Sequence, residues 1–188
     1  MARLKLQPER AVLERCEELR AEVRDALART PADVELVWRG EALGTLLWAL
    51  NLAELPPYDE PFAPQEVAVA DLQGAELRDA EEIDLERETA RLWHWRARTA
   101  DLQADGSTSL PQQYSSYDQL VASVAMRGYE QGFLPEPVRG DFRAYGADYR
   151  RLDPDRLDEA HAIAAERHHA LGWLTSPGTA WDRVPLDT

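Results

Sequence analysis

A single cysteine, Cys16, stands in a chain of 188 residues. One thiol excludes both a disulfide framework and a cysteine-ligated zinc site within one chain. A chain of this length buries roughly 70% of its unfolded surface and needs neither to fold. Lysine is almost missing: of 21 basic residues only Lys5 is one, a bias that fits a GC-rich genome and bears on no function. No apolar run approaches the ~18 residues of a membrane span. The start, Met1 to Lys5, leads into no apolar signal core, so the expectation is a cytoplasmic protein without a membrane partner. There is no Gly-x-Ser-x-Gly elbow, no phosphate loop and no dinucleotide glycine pattern. No internal repeat or low-complexity tract occurs, and no cofactor is predicted. Positive charge is also short. The net charge is −14, which argues against nucleic acid, whose affinity comes mainly from Lys and Arg neutralising phosphates.

The rest of the composition is that of a globular domain, 44% hydrophobic and 30% charged. The acidity is uneven. From Glu54 to Glu88 twelve carboxylates stand against Arg78 and Arg87, a net of −10. Such a stretch is either a solvated face that aids solubility or a docking surface for a basic protein partner.

Apolar spacing predicts helices. Val12, Cys16, Leu19, Val23 and Leu27 form one stripe on a helix from Pro8 to about Ala28. Cys16 lies on the stripe and is expected to be buried as a small hydrophobe. The single stripe also leaves open a homodimer through this N-terminal helix. A second helix, from about Ala32 to Leu52, is apolar nearly all round (Val34, Leu36, Val37, Trp38, Leu43, Leu46, Leu47, Trp48, Leu50), as a central helix is. Gly40, Gly44 and Asn51 mark its small or polar side. Four prolines between Pro56 and Pro64 predict a loop over residues 53–64, with a short helix around Gln65 to Leu72. Further helices are expected from Arg78 to Leu102 and from Tyr117 to Gly132, the latter with Leu120, Val124 and Tyr129 near one face. Asp105 to Ser109 reads as a loop, and residues 141–151 as a short hairpin. Asp153 as N-cap and Pro154 at the first helical position open a last helix ending near Leu174. Trp181 and Val184 of the tail are expected to fold back on the core.

Helical wheels place three charges inside apolar surface. Arg96 points into an arc of Leu85, Leu92, Ala100, Trp93, Ala97, Ala90 and Ile83, with Glu86 near Trp93. Arg167 falls in the middle of Ala170, Ile163, Leu174, Ala160, Leu171 and Ala164. Glu41 projects between Val37 and Trp48. Buried charge must be paired and hydrogen-bonded, and arginine suits a buried pair with carboxylate. Glu41 is therefore predicted to pair with Arg96 or Arg167, or to bridge both. Glu86, Asp182 or Asp187 could supply a second carboxylate. This is an ion network that fixes helix register, a polar pocket for an anionic or polar ligand, or a pair of arginines that snorkel to the edge.

The histidines add little on spacing alone. His94 shares a basic stripe with Arg87, Arg91 and Arg98, expected to pair with nearby carboxylates. His161 and His168 are about 10 Å apart on one face, too far to share a metal ion. His169 and Glu166 lie on the outer face near Trp173. His94 with His168 and a carboxylate could meet across two helices, but no metal site is predicted.

Several runs resemble one family: Trp38-Arg-Gly-Glu-Ala42 with Leu47-Trp-Ala-Leu50; Arg91-Leu-Trp-His-Trp-Arg-Ala-Arg-Thr99; Gly140-Asp-Phe-Arg-Ala-Tyr-Gly146 with Tyr149; Ala165-Glu-Arg-His-His-Ala-Leu-Gly-Trp-Leu174; and Trp181-Asp-Arg-Val184 with Asp187-Thr188. The family is the bacterial one catalogued as domain of unknown function 4272. Gly172 departs from it, where a polar residue, often asparagine, is expected. The resemblance runs from about residue 35 to the C-terminus and implies a soluble, mostly helical bacterial domain, with no activity attached. Glu41, Arg96 and Arg167 fall within its runs.

The expected fold is all-α: one domain over residues 1–188, with an amphipathic helix in 1–30 and a family-like core in 31–188. About five main helices should surround the central second helix. The expected function is a non-enzymatic interaction or adaptor protein with an acidic contact surface. The alternative is a small-ligand-binding protein or enzyme with a site between helices. There Arg96 and Arg167 would hold an anionic group, and Glu41 or Glu166 would act as base. His168 and His94 would stand nearby, with Trp48, Trp93 and Trp181 as aromatic lining.

Overall fold

The computed structural model describes residues 4–29, 34–107 and 110–186, without the side chains of residues 34–36. The expected helix start at Ala32, the loop residues Thr108 and Ser109, and Asp187 and Thr188 lie outside the described residues. So do the side chains of Val34 and Leu36. Six α-helices and one small sheet occur among the described residues: α1 (Glu9–Ala28), α2 (Val34–Ala49), α3 (Pro64–Val67), α4 (Ala80–Ala104), α5 (Tyr117–Glu130), β1 (Arg143–Ala144), β2 (Ala147–Asp148) and α6 (Pro154–Leu174). Single 3-10 turns cover Tyr149–Arg151 and Trp181–Arg183. The protein is mostly helical, as its periodicity predicts, and no described helix is long and apolar enough to cross a membrane.

α2 is the central element, packed on α1 and on α6, while α6 also packs on α4. Ala42, Leu43, Leu46, Leu47, Ala49 and Leu50 are all buried, which accounts for a helix without a polar face. The stripe of α1, Val12, Cys16, Leu19 and Val23, is fully buried within the chain. Burial pushes the Cys16 thiol up to about 12, leaving it an inert core residue. The stripe that could have met a second copy thus lies against α2.

Local signals fix the ends. The Asp153 side chain accepts from the Arg156 amide, with Pro154 in the first turn of α6, and Ser116 accepts from the Gln119 amide to open α5. Pro8 caps α1 from outside rather than entering it. α4 starts two residues later than its spacing predicts, where the Arg78 amide donates to the Ala49 carbonyl and its side chain to that of Trp48. The face of α5 also differs. Val121, Ala125 and Gly128 are buried, whereas Tyr129 is 45% exposed. Gly128 selects that face, because α5 meets Leu134 and Leu92 so closely there that no Cβ fits.

β1 and β2 pair antiparallel, Arg143 opposite Asp148 and Ala144 opposite Ala147. Their connection is Tyr145-Gly146, both at positive φ, as a tight type I′ hairpin requires. Trp181 is buried and Val184 packs on the core, so the tail does fold back.

The small side of α2 receives the proline loop. A Cβ on Gly44 would stand 2.4 Å from the Phe62 ring. Gly44→Ala is expected to destabilise the fold by about 1–3 kcal/mol through overpacking, despite the better helix propensity of alanine. Equilibrium denaturant unfolding of the variant measures it, and an unchanged midpoint would contradict the tight approach.

Candidate functional site

Two buried ion pairs organise the polar interior. Arg167 of α6 and Glu41 of α2 have side chains 0% and 2% exposed, with Nε 2.9 Å from Oε2. The rest of the guanidinium serves the proline loop. Nη1 donates to the carbonyls of Pro56 (2.6 Å) and Pro57 (3.2 Å), and Nη2 donates to that of Glu60 (2.9 Å). The other Glu41 oxygen accepts from the Phe62 amide at 2.6 Å. The Arg167 guanidinium also lies over the rings of Tyr58 and Phe62, at 4.9 and 5.3 Å. Burial raises the Glu41 carboxyl above its ordinary value, and Arg167 pulls it back down.

Arg96 does not join Glu41, correcting one of the predicted pairings. Both Glu41 oxygens are already engaged, by Arg167 and by Phe62. Arg96 pairs instead with Asp141, which the hairpin segment presents to α4. The contact is bidentate, Nε to Oδ1 at 2.7 Å and Nη2 to Oδ2 at 2.9 Å, and both side chains are 1% exposed. Asp141 also accepts from the amides of Phe142 and Arg150, and Tyr149 lies under the guanidinium at 4.6 Å. The offered second carboxylates go elsewhere: Glu86 accepts from the Tyr58 hydroxyl at 2.9 Å, and Asp182 is exposed on the tail.

His94 and His168 do meet across α4 and α6, with their Nδ1 atoms 2.9 Å apart. One ring donates and the other accepts, so both are neutral or share one charge. Burial lowers each to about 4. The neighbouring His168, His161 and Arg98 press His94 down further, and Arg91, Arg87 and His169 do so for His168. The arginines of that stripe pair with carboxylates as predicted: Arg87 with Asp84 and Glu88, Arg91 with Glu88, Arg98 with Asp101. His161 ends the row, its ring 6.2 Å from that of His94 and its Nδ1 3.9 Å from Asp101. Among the described residues no group of three or more His, Cys, Asp or Glu side chains is arranged to hold a metal ion.

Glu166 lies apart from all of these. Its Oε2 is buried without a hydrogen-bond partner, and burial raises its carboxyl, with Arg39 and Arg15 opposing. Trp181 belongs to that side of the molecule, 5.4 Å from the Trp173 ring and 4.5 Å from that of His169, with the Arg15 guanidinium 4.3 Å above it. The six candidate polar residues thus occupy four separate places rather than one pocket.

Trp48 and Trp93 do line a common depression, a cleft of about 780 Å³. Its walls are the loop Glu54–Asp59, the N-terminal half of α4, the turn Gln131–Pro135 after α5, and Arg143. Glu54, Asp59, Glu82 and Glu86 face this space, with Arg143 as the only basic lining residue among those described. Its base is aromatic, with Tyr58 and Trp93 stacked at 5.4 Å and nearly parallel. Leu85, expected in the buried arc of α4, is 57% exposed because the cleft lies over it. Burial raises the Glu86 carboxyl, while the Tyr58 hydroxyl and Arg167 hold it down. Sequence reasoning missed Tyr58, Asp59 and Asp141. The proline loop and the hairpin have no helical period to betray which side chains turn inward. The clustered acid of residues 54–88 was the available signal for the cleft.

No family model, no curated protein and no solved structure matches this chain.

Breaking a buried pair by removing one partner leaves an uncompensated charge. Arg167→Ala is expected to lower unfolding free energy by about 3–5 kcal/mol, read by denaturant unfolding. A loss below about 1 kcal/mol would contradict the clamp. The histidine pair carries a pH dependence of definite sign. Both folded values, about 4, lie below the ordinary 6.5, so the unfolded chain binds these protons more tightly. Their contribution is complete above about pH 6.5, falls as the pH drops and is lost through about pH 4. Unfolding free energy measured across that window should fall less steeply in His168→Gln than in the wild type; parallel curves would show that the pair does not titrate in the fold.

Proposed function

We propose that the chain is a non-enzymatic interaction protein whose acidic cleft receives a basic side chain of a partner protein. The observation that carries this reading is Glu86. It stands at the aromatic base of the cleft, accepts one hydrogen bond, from Tyr58, and forms no ion pair among the described residues, Arg167 acting on it only from a distance. A carboxylate held there against desolvation gains most from a ligand that brings positive charge. Glu54 and Asp59 repeat that sign at the walls, and Glu82 adds a carboxylate already paired with Arg78. Leu85 and the aromatic edges would pack on the aliphatic part of a Lys or Arg side chain.

The buried pairs support a binding rather than a catalytic reading. The hydrogen-bonding groups of Arg167 and Glu41 are taken up by loop backbone and by each other. We further propose kinship with the bacterial family catalogued as domain of unknown function 4272. In support, Glu41, Arg96, Asp141 and Arg167 all fall within the runs that resemble it, so those runs carry both clamps.

Two measurements on one variant separate binding from structure. Glu86→Gln keeps an acceptor for Tyr58 and removes a charge whose carboxyl burial raises, so its thermal midpoint should equal or exceed that of the wild type. Its affinity for a fluorescent arginine-rich peptide, read by anisotropy, should fall about five- to tenfold. Wild-type binding should itself vanish near 1 M salt, where the Debye length is about 3 Å. Equal affinity of variant and wild type would remove Glu86 from the site, and salt-insensitive binding would remove the electrostatic basis of the reading.

A further inference from the structure

The acidic cleft has a neighbour of opposite character. A second depression of about 330 Å³ lies between α4 and α5, lined by Arg91, Trp95, Val124 and Arg127 among others. The two share Gln131 and Phe133, so the turn that follows α5 forms a saddle between them. Each side presents a charge without a mate. Arg127 is exposed and pairs with no carboxylate among the described residues, as Glu86 pairs with no cation. Arg91 adds a second cation beside Arg127, partly answered by Glu88. Trp95 and Phe133, both half-buried, give this side an apolar floor.

We infer that the partner is an extended peptide segment that straddles the Gln131–Phe133 turn, placing a Lys or Arg in the acidic cleft and an Asp or Glu against Arg127 and Arg91. This rests on the reading of the cleft as a docking site for a basic side chain and adds the second charge, its sign and its spacing. Glu86 and Arg91 are five residues apart on α4, about 7–8 Å along the axis, and the ligand must also cross the turn. An extended strand covers ~3.3 Å per residue, so the two charged side chains belong about three to five residues apart. Opposite charges at the two ends fix the direction in which the segment lies, which a purely acidic cleft would leave free. A polybasic segment can still place one Lys or Arg in the cleft, but it gains nothing from Arg91 and Arg127 on the far side and so binds more weakly than a segment of mixed charge.

The probe is a displayed library of random octapeptides, selected separately on the wild type, on Arg127→Glu and on Glu82→Gln/Glu86→Gln. All of these substitutions are at solvent-accessible positions, and circular dichroism with a thermal midpoint establishes that each variant is folded. The wild type should enrich peptides carrying a basic and an acidic residue at the stated spacing. Arg127→Glu should enrich peptides that keep the basic residue and lose the acidic one, and should bind the wild-type winners about five- to tenfold more weakly. The double Gln variant should lose the winners of both selections. If the wild type and Arg127→Glu enrich the same basic peptides, with no acidic residue, the straddling ligand is refuted while the cleft reading stands. If the winners are indifferent to the double Gln variant, or nothing is enriched, the cleft reading falls and this inference with it.

Discussion

One guanidinium holds the proline loop in place. Arg167 is fully buried, and its hydrogen bonds go to the Glu41 carboxylate and to three backbone carbonyls between Pro56 and Glu60. A loop that rich in proline has few amides to donate and many carbonyls left without partners. An arginine, with five donors in a rigid fork and no acceptor, answers that need better than any other side chain. Glu41 neutralises the fork and takes up one of the amides the loop does offer, that of Phe62. The pair therefore does more than fix the register of α2 against α6: it gives an irregular segment a defined shape.

The same logic repeats on the other side of α4. Asp141 binds Arg96 with both oxygens and also receives the amides of Phe142 and Arg150. Here the roles are exchanged, with the carboxylate gathering the backbone of the hairpin and the arginine supplied by the helix. Asp59 joins the two irregular segments, its carboxylate accepting from the Tyr145 amide at the hairpin tip at 2.6 Å. The proline loop and Arg143 of the hairpin both line the acidic cleft. The buried charges are structural in what they touch, and the segments they hold are those that line the cleft.

The parts legible in the sequence are those with a period. The helices follow from apolar spacing, and Asp153-Pro154 marks the start of α6 within its first residue. Glu41, Arg96 and Arg167 were visible as charges in apolar arcs, and all three are buried. Their partners were less visible. The Glu41–Arg167 pair is one of the predicted pairings, but Asp141, the partner of Arg96, belongs to a segment without a period, and the backbone carbonyls that fill the Arg167 fork leave no mark in a sequence. Leu85 shows the converse limit: a wheel records the side on which a residue lies, but not where along the helix the covering element stops. The meeting of His94 with His168 depends on how α4 crosses α6, which no single-helix pattern encodes.

The charge balance explains why open carboxylates collect at the cleft. With 35 acidic and 21 basic residues, full pairing is out of reach, and the two clamps withdraw Arg96 and Arg167 into the interior, while Arg87, Arg91 and Arg98 are engaged by carboxylates along their own helix. Like charges left over would normally spread across the surface to lessen repulsion. Here the cleft gathers three of them, Glu54, Asp59 and Glu86, around a space with an aromatic base, where a low-dielectric boundary strengthens their field toward solvent. At its base burial raises the Glu86 carboxyl, with the Tyr58 hydroxyl and Arg167 holding it down. A carboxylate at the base of a cleft with no ion-pair partner among the described residues supports the proposed binding of a cation more directly than surface acidity alone. Arg127, exposed and without an ion pair among the described residues across the Gln131–Phe133 turn, would give the proposed binding surface a direction.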